Sequence, residues 1–166
     1  MIIIGLGGNL PSRFGPPALT LRRALEKLEE CGAKPVSCSP FYGSHPVPVS
    51  DQPDFVNAVA LIKTGLPPGA LLQQLLSVEQ EIGRSRGEAN AARTIDLDLL
   101  AYGDICLEGQ HPDAPGLLLP HPRMHLRGFV LAPLCDIAPE WIHPQLRLTA
   151  RELFAALPET QGIWRL

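Results

Sequence analysis

The fold is decided by one stretch of the sequence, Phe55-Val-Asn-Ala-Val-Ala-Leu-Ile-Lys-Thr64-Gly-Leu66-Pro-Pro-Gly-Ala-Leu-Leu-Gln-Gln-Leu-Leu-Ser-Val-Glu-Gln-Glu-Ile-Gly83. Its first part alternates apolar residues with polar or small ones, which predicts a strand over residues 55–64. The remainder carries leucines at helical spacing, with prolines near its start and a glycine at its end, which predicts a helix over residues 66–83. The elements on either side of this strand and helix then determine the fold class.

The neighbouring segments contain the same two kinds of element. We predict strands over residues 2–6, 33–42 and 93–102, and a helix that opens at Pro16-Pro17 and ends at Gly32. A proline-rich loop over residues 43–53 and a loop over residues 84–92 complete this part of the chain. The first four strands and two helices therefore run β-α-β-β-α-β, the ferredoxin-like order, with the helices covering one face of the sheet.

The C-terminal part adds further elements to this unit. We predict a short hairpin arm at residues 105–107, a brief apolar run at 116–119, and helices over 127–137 and 149–157. No internal repeat, low-complexity tract or long linker divides the chain. The predicted fold is therefore α+β: a ferredoxin-like β-α-β-β-α-β sandwich with an additional C-terminal hairpin and helices, in one domain over residues 1–166.

The composition is that of a globular protein. Apolar residues make up 45% of the 166 residues, and the net charge of −3 argues against binding to nucleic acid or to anionic membranes, which requires a basic excess. No apolar run is long enough to span a bilayer, and the N-terminus lacks the features of a signal peptide. Because the four cysteines form no C-x-x-C pair, we expect reduced thiols, mostly in the core, and a cytoplasmic protein.

The most informative motif is Arg93-Thr-Ile-Asp96-Leu-Asp98-Leu-Leu. In a strand, residues i and i+2 face the same side, so Asp96 and Asp98 point together while Leu97 and its apolar neighbours point to the core. Two carboxylates so close together are costly unless a cation or a proton lies between them. Oxygen ligands on a rigid strand suit Mg²⁺, although two solvated aspartates on an exposed strand face would show the same pattern.

Arginines surround this carboxylate pair in the sequence. Three precede or begin the motif and two follow in a later loop: Arg84, Arg86, Arg93, Arg123 and Arg127. The planar guanidinium fork matches phosphate oxygens, so this set predicts a site for a polyphosphate. The alternative is that they are surface arginines paired with Glu79, Glu81 or Glu88. The sequence contains neither a Walker A motif nor the glycine-rich loop of protein kinases, so ATP would be held without either common cradle.

At this point the sequence resembles the 6-hydroxymethyl-7,8-dihydropterin pyrophosphokinase family. The resemblance covers nearly the whole chain and rests on several motifs in the same order. They are Gly5-Leu-Gly-Gly-Asn9-Leu10, Ser39-Pro-Phe-Tyr42, Asp51-Gln-Pro-Asp-Phe55-Val-Asn57-Ala, Gly83-Arg84-Ser-Arg86, the motif at Arg93, Leu119-Pro-His121-Pro and Arg127-Gly128-Phe129-Val-Leu-Ala-Pro-Leu134. It implies that residues 1–166 form a pyrophosphokinase domain that transfers pyrophosphate from ATP to the hydroxymethyl group of the pterin in folate biosynthesis.

The resemblance also implies roles for individual residues on the pterin side. Asn57 would hydrogen-bond the pterin edge, Phe55 and Phe129 would flank its ring, and Ser44 and Val47 would offer backbone groups. A flat apolar ring and an amide that both donates and accepts suit this ligand chemically. Plain core packing of the two phenylalanines, and a polar residue on a wet strand face at position 57, are the alternatives.

On the nucleotide side, the resemblance implies a metal site and a set of phosphate contacts. Asp96 and Asp98 would hold two Mg²⁺ ions and act in catalysis with Arg84 and Arg93, while Arg86, Arg93, His121 and Arg127 would bind ATP. Because the substrates are small molecules, we expect neither nucleic acid nor membrane as a partner, and we expect a monomer.

Two departures from the family pattern stand out. Members usually carry a tryptophan and a Gly-Pro before the arginine of the carboxylate motif, whereas this loop reads Gly87-Glu-Ala-Asn90-Ala-Ala92, and position 45 is His where proline is common. The changed loop leaves open a non-catalytic relative that only binds pterin or nucleotide. A two-metal nucleotidyltransferase is the other alternative, and the acidic net charge argues against it.

Overall fold

Strands and helices follow the predicted order through the first half of the chain. The computed structural model describes residues 1–84, 91–158 and 161–166. The strands within these ranges are β1 (Ile2–Gly8), β2 (Lys34–Cys38), β3 (Tyr42–Ser44), β4 (Phe55–Lys63), β5 (Asp96–Tyr102), β6 (Leu107–His111), β7 (Ala114–Leu119) and β8 (Ile163–Arg165). The α-helices are α1 (Pro17–Glu30), α2 (Pro68–Ile82), α3 (Gly128–Ile137) and α4 (Ala150–Ala155), and a single 3₁₀ turn covers Met124–Leu126.

The main sheet has six strands, all paired antiparallel. Its order is β5-β1-β4-β3-β8, and β2 pairs with the other end of β4. Since β2 and β3 together occupy the place of one predicted strand, the order matches the ferredoxin-like arrangement, and the predicted α+β class is confirmed. The strands β6 and β7 form a separate hairpin.

The predicted continuous strand over residues 33–42 is wrong, because the chain leaves the ladder between β2 and β3. There the Ser39 hydroxyl accepts a hydrogen bond from Val59 N at 3.1 Å and donates one to Pro40 O at 2.8 Å. Pro40 has no N–H to offer to a ladder. The side chain of Ser39 therefore replaces a main-chain partner at this break.

The helices α1 and α2 cover one face of the sheet, as predicted. Their contact with the sheet is a single apolar cluster that includes Ile4, Leu6, Leu97 and Leu99 from the strands, Leu21 and Leu28 from α1, and Leu71 and Leu75 from α2. These side chains repeat at period two in the strands and at helical spacing in the helices, so each element buries one side.

The helices α3 and α4 cover part of the opposite face, which the order of elements alone did not predict. A second cluster joins Ile3, Val59 and Leu100 of the sheet to Leu131 and Leu134 of α3 and Leu153 of α4. The rest of this face is left open beside α3. That opening is where the polar residues of β4 and β5 point.

Several predicted boundaries and placements need correction. The hairpin arms are Leu107–His111 and Ala114–Leu119, longer than the fragments predicted at 105–107 and 116–119. The strand β8 was not predicted at all. Three of the four cysteines are exposed and Cys135 is half-buried, so their placement in the core was wrong. Among the described residues, no helix combines the length and the hydrophobicity that a membrane crossing requires.

Candidate active site

A cavity of 470 Å³ opens on the sheet face that α3 leaves uncovered. Every predicted site residue in the described part of the chain lines it: Ser44, Val47, Phe55, Asn57, Arg84, Arg93, Asp96, Asp98, His121, Arg127 and Phe129. Arg123 also lines it. Arg86 lies outside the described residues. Residues from five separate segments of the sequence therefore meet in one pocket.

The paired aspartates lie on the pocket side of β5, with Leu97 buried on the other side, as the alternation predicted. Asp96 Oδ1 lies 2.9 Å from Arg84 Nη1, and Asp96 Oδ2 lies 2.7 Å from Arg93 Nη1. Burial and the charge of Asp98 raise the pKa of Asp96, while the two arginines oppose that rise. A cation beside this pair would remove the repulsion between the carboxylates.

Two glycines of β1 form the floor between the carboxylates and Asn57. In the strand register Gly7 lies between Asp96 and Asn57, and Gly5 lies beside Asp98. A Cβ added at Gly7 would lie 3.3 Å from Asn57 Oδ1, so a side chain there would enter the pocket. Asp96 and Asn57 stand roughly 10 Å apart, which is two strand spacings. The carboxylates and the Asn57 amide therefore face the same cavity from opposite sides of the glycine floor.

Asn57 is held in a fixed orientation at the far side of the floor. Its side chain is buried, and its Nδ2 donates to Ser44 Oγ at 3.0 Å and to Tyr42 O at 3.4 Å. Phe55 and Phe129 are half-buried and line the pocket, so they are not confined to core packing. This part of the pocket offers an oriented amide and two aromatic rings, the features predicted for binding a planar heterocycle.

The part of the pocket around His121, Arg123 and Arg127 is electropositive. Burial, and then the charge of Arg123, lower the pKa of Arg127. Burial and the charges of Arg127 and Arg123 lower the pKa of His121 to about 4, so this imidazole is neutral near pH 7. Its Nδ1 accepts from Arg123 N at 3.1 Å, which leaves the proton on Nε2 as a hydrogen-bond donor. An anion in this part of the pocket would relieve the crowding of positive charge.

Glu79 holds the pocket residue Arg84 in place, a role that the sequence does not reveal. The sequence indicates only a surface partner for arginines, but the Glu79 side chain is 2% exposed at the end of α2. It accepts hydrogen bonds from Leu97 N at 2.6 Å and from Arg84 Nη1, so Arg84 bridges Glu79 and Asp96. Glu79 follows Leu71 by eight residues, so helical spacing places it on the buried side of α2. That spacing was the signal in the sequence that Glu79 is buried.

Asn9 is a second residue whose role was missed. It is 3% exposed, and its Oδ1 accepts from Arg93 N at 2.8 Å while its Nδ2 donates to Pro53 O at 3.0 Å. The N–H groups of Asn9 and Leu10 both donate to Arg93 O. These bonds explain why β5 begins at Asp96 and not at Arg93 as predicted. The available signal was that Asn9 belongs to the motif Gly5-Leu-Gly-Gly-Asn9-Leu10, which the family shares. No role was predicted for this motif from the sequence.

Comparison with known proteins shows which family this chain resembles. The family model described as 7,8-dihydro-6-hydroxymethylpterin-pyrophosphokinase (HPPK) matches residues 3–139. Two relatives bear the name 2-amino-4-hydroxy-6-hydroxymethyldihydropteridine pyrophosphokinase. The Pseudomonas aeruginosa protein is 40% identical over 166 residues, which covers 99% of this chain and 96% of that protein. The Synechocystis protein is 39% identical over 163 residues, which covers 98% of this chain and 78% of that protein.

Solved structures show the same fold at lower sequence identity. The wild-type HPPK-DHPS of Plasmodium falciparum with pteroate has a TM-score of 0.72 and is 16% identical, with 93% of this chain and 43% of that chain covered. This chain thus spans less than half the length of that solved chain. The extent of the family match and the identity to full-length relatives together decide the assignment: the chain belongs to the 7,8-dihydro-6-hydroxymethylpterin-pyrophosphokinase family.

Proposed function

We propose that the pocket between β5 and β4 is where this chain carries out the reaction of its family, with the pterin on the Asn57 side and the triphosphate on the Asp96 side. The chain is an ATP-dependent pyrophosphokinase that transfers pyrophosphate to 6-hydroxymethyl-7,8-dihydropterin in folate biosynthesis. One observation supports placing the two substrates on these two sides. Asp96, Gly7 and Asn57 lie side by side on the neighbouring strands β5, β1 and β4.

The metal site would consist of Asp96 and Asp98. ATP-dependent kinases of this family generally use Mg²⁺, and we propose two ions here. In the described ranges no group of three or more His, Cys, Asp or Glu side chains is placed to hold a metal. A carboxylate pair completed by substrate phosphates is the usual arrangement for Mg²⁺, so the donors present fit it. Bound there, the ions would neutralise charge on the triphosphate.

The pterin would be positioned by the rigid amide and the aromatic rings. Because Ser44 and Tyr42 fix the Asn57 amide, its remaining oxygen presents one acceptor to the edge of the heterocycle. Phe55 and Phe129 would contact the faces of the ring, which orients its hydroxymethyl group toward β5. Val47, in the exposed loop after β3, would add a backbone contact at the open side.

The phosphates would be held by guanidinium groups that are already in place. Arg84 and Arg93 both pair with Asp96, so they lie beside the position where the phosphates would meet the metal ligands. The hydroxymethyl oxygen attacks the β-phosphorus and AMP leaves, a transfer that depends on positioning and on neutralising charge. His121, as a neutral Nε2–H donor, and Arg127 would bind the nucleotide from the segment that follows β7.

The test is turnover of an Asp98→Ala variant, measured as AMP release with ATP, Mg²⁺ and hydroxymethyldihydropterin. We expect AMP release to fall at least about a thousandfold, since metal sites contribute several kcal/mol to such transfers. Pterin binding should persist, because Asn57 and its partners are unchanged. The matched control is Asp104→Ala, an exposed aspartate in the turn after β5. Full activity of Asp98→Ala would overturn the metal role.

The same assay separates the two alternative functions. A non-catalytic binding relative would bind pterin and nucleotide without releasing AMP. A nucleotidyltransferase would release pyrophosphate in place of AMP. The matched relatives bear the name of neither class.

The remaining expectations concern the state of the whole chain. We propose one pyrophosphokinase domain over residues 1–166, supported by the fact that β1 and β8, from opposite ends of the sequence, belong to one sheet. We propose that the protein is a monomer. Sedimentation analysis tests this state, and a cytoplasmic location stays a prediction.

A further inference from the structure

The segment 161–166 runs along the edge of the sheet next to the pterin part of the pocket. Its strand β8 pairs antiparallel with β3, with Ile163 opposite Ser44 and Trp164 opposite Gly43. Two more main-chain bonds extend the pairing, from His45 N to Gly162 O at 3.3 Å and from Leu166 N to Phe41 O at 2.9 Å. The segment therefore fixes the main chain of the short strand that carries Ser44.

The first residue of the segment reaches the other wall of the pocket. Gln161 Oε1 accepts from Gly128 N at 2.6 Å, and Gln161 Nε2 donates to Leu126 O at 3.0 Å. Gly128 is the first residue of α3, and Arg127 before it supplies no side-chain cap. A helix start leaves its first N–H groups without partners, so Gln161 supplies the missing acceptor from a distant part of the chain. The residues on either side of Gly128 are Arg127 and Phe129, which both line the pocket.

Trp164 holds the wall at Ser44 by contact with two neighbours. A Cβ at Gly43 would lie 2.2 Å from Trp164 Cε2, so the indole lies directly on the bare main chain of β3. The Trp164 ring is also 5.1 Å from the ring of His45, centroid to centroid. His45 Nδ1 is in turn 2.8 Å from Asp54 Oδ1. His45 lines the pocket at the start of the loop that includes Val47.

From these contacts we propose that residues 161–166 form a strap that holds both walls of the pterin part of the pocket, and that Gln161 and Trp164 are positioning residues for the pterin. The inference rests on the proposed function and names residues that the family resemblance did not. Neither side chain is among the described residues that line the pocket, so each acts through a neighbour. Gln161 sets the position of Phe129 through Gly128, and Trp164 sets the position of Ser44 through Gly43 and His45.

The strap should affect the pterin more than the nucleotide. Two of the phosphate-side residues are held by other parts of the chain: the side chain of Arg84 by Glu79, and the main chain of Arg93 by Asn9. Trp164 lies in β8, at the edge of the sheet opposite to β5. A general loosening of the fold would weaken binding of both substrates, whereas loss of the strap would weaken binding of one. The ratio of the two affinities therefore separates a positioning role from a merely structural one.

The experiment measures two affinities by titration calorimetry. The first is for a non-hydrolysable ATP analogue with Mg²⁺, and the second is for hydroxymethyldihydropterin in the presence of the saturating analogue. For Trp164→Ala and Gln161→Ala we expect about tenfold weaker pterin binding, the effect of losing one or two hydrogen bonds or an equivalent contact. Analogue binding should stay unchanged for Trp164→Ala and shift at most a few-fold for Gln161→Ala, because Arg127 lies next to Gly128. In the double variant, pterin binding should weaken by less than the product of the two single fold-changes, because both residues act on the same strap.

Two control variants alter the same segment without removing the proposed contacts. Leu166→Ala removes an exposed side chain of the same segment, and Trp164→Phe keeps an aromatic face on Gly43, so both should bind the pterin nearly as the wild type does. If Gln161→Ala does not fold, Gln161→Glu keeps the acceptor for Gly128 and loses the donor to Leu126, and it must still weaken pterin binding. Folded variants that bind pterin as tightly as the wild type overturn the strap alone. A wild type that does not bind pterin overturns the proposed function itself.

Discussion

Replacement of the buried carboxylate of Glu79 tests whether this residue anchors the phosphate side of the pocket. Glu79 accepts hydrogen bonds from Leu97 N and from Arg84, and Arg84 also pairs with Asp96. In Glu79→Gln the amide oxygen still accepts from Leu97 N, but the charged contact with Arg84 is lost. In Glu79→Ala both contacts are lost, and the main-chain N–H of Leu97 stays buried without an acceptor.

Glu79→Gln and Glu79→Ala should lower the free energy of unfolding by different amounts, because they remove different contacts. A hydrogen bond to a charged group contributes about 1.5–3 kcal/mol, but burial raises the pKa of Glu79, so the cost of ionising the carboxylate offsets part of that contribution. We therefore expect Glu79→Gln to lower the free energy of unfolding by about 1–2 kcal/mol. For Glu79→Ala, the unpaired N–H, the unpaired Arg84 and the vacated volume together give about 3–5 kcal/mol.

Urea unfolding of the free protein and AMP release under saturating substrates measure the two effects. With Arg84 no longer anchored by a second carboxylate, we expect the turnover of Glu79→Gln to fall about 10- to 100-fold. The matched control is Glu81→Gln, two residues away, which removes an exposed partner of Lys27 and should change stability by less than about 1 kcal/mol. Equal stability of the Gln and Ala variants, or wild-type turnover in Glu79→Gln, would refute the anchoring role.

Three further predictions follow from the site. Gly8→Ala should lower the free energy of unfolding by about 1–3 kcal/mol, because its Cβ would lie 2.5 Å from Thr94 O, whereas Gly65→Ala has nothing within 4 Å and serves as the control in the same urea titration. Arg93→Ala should lower kcat by about 10²–10³ through loss of charge neutralisation, and an unchanged kcat would remove it from the mechanism. The pKa of His121 is about 4 against 6.5 for a free histidine, so the unfolded chain takes up a proton first as pH falls. Wild-type stability should thus drop by up to about 3 kcal/mol between pH 6.5 and 4, and a His121→Asn variant that shows the same drop would contradict this assignment.

Patterns that are local in sequence predicted the fold class and the facing of the aspartates correctly. Asp96 and Asp98 alternate with Leu97 and Leu99, and because one face of β5 is buried, the register cannot slip without burying the charges. The helix α2 was equally clear, since its apolar side, proline start and glycine end agree. Where local signals agree with one another, the sequence was sufficient.

Features that depend on distant partners were not predictable in this way. Asn9 bonds Arg93, 84 residues away, and nothing near either residue indicates the pairing. The strand β8 has only three residues, and it exists because the edge of β3 offers main-chain partners and bare main chain at Gly43. The family resemblance named the residues that meet substrates. It did not name those that hold these residues in place, such as Glu79 and Gln161.

The bare floor at Gly5 and Gly7 has a consequence for how the pocket can change. The distance between Asp96 and Asn57 is set by the spacing of three hydrogen-bonded strands. Because β1 is bonded to both β4 and β5, no change of side-chain rotamer alters the spacing of these strands. Adaptation to a longer or shorter acceptor would have to come from the loops above the sheet. An inhibitor is accordingly best shaped to the stiff base first, with the substituents that tune selectivity directed at the walls.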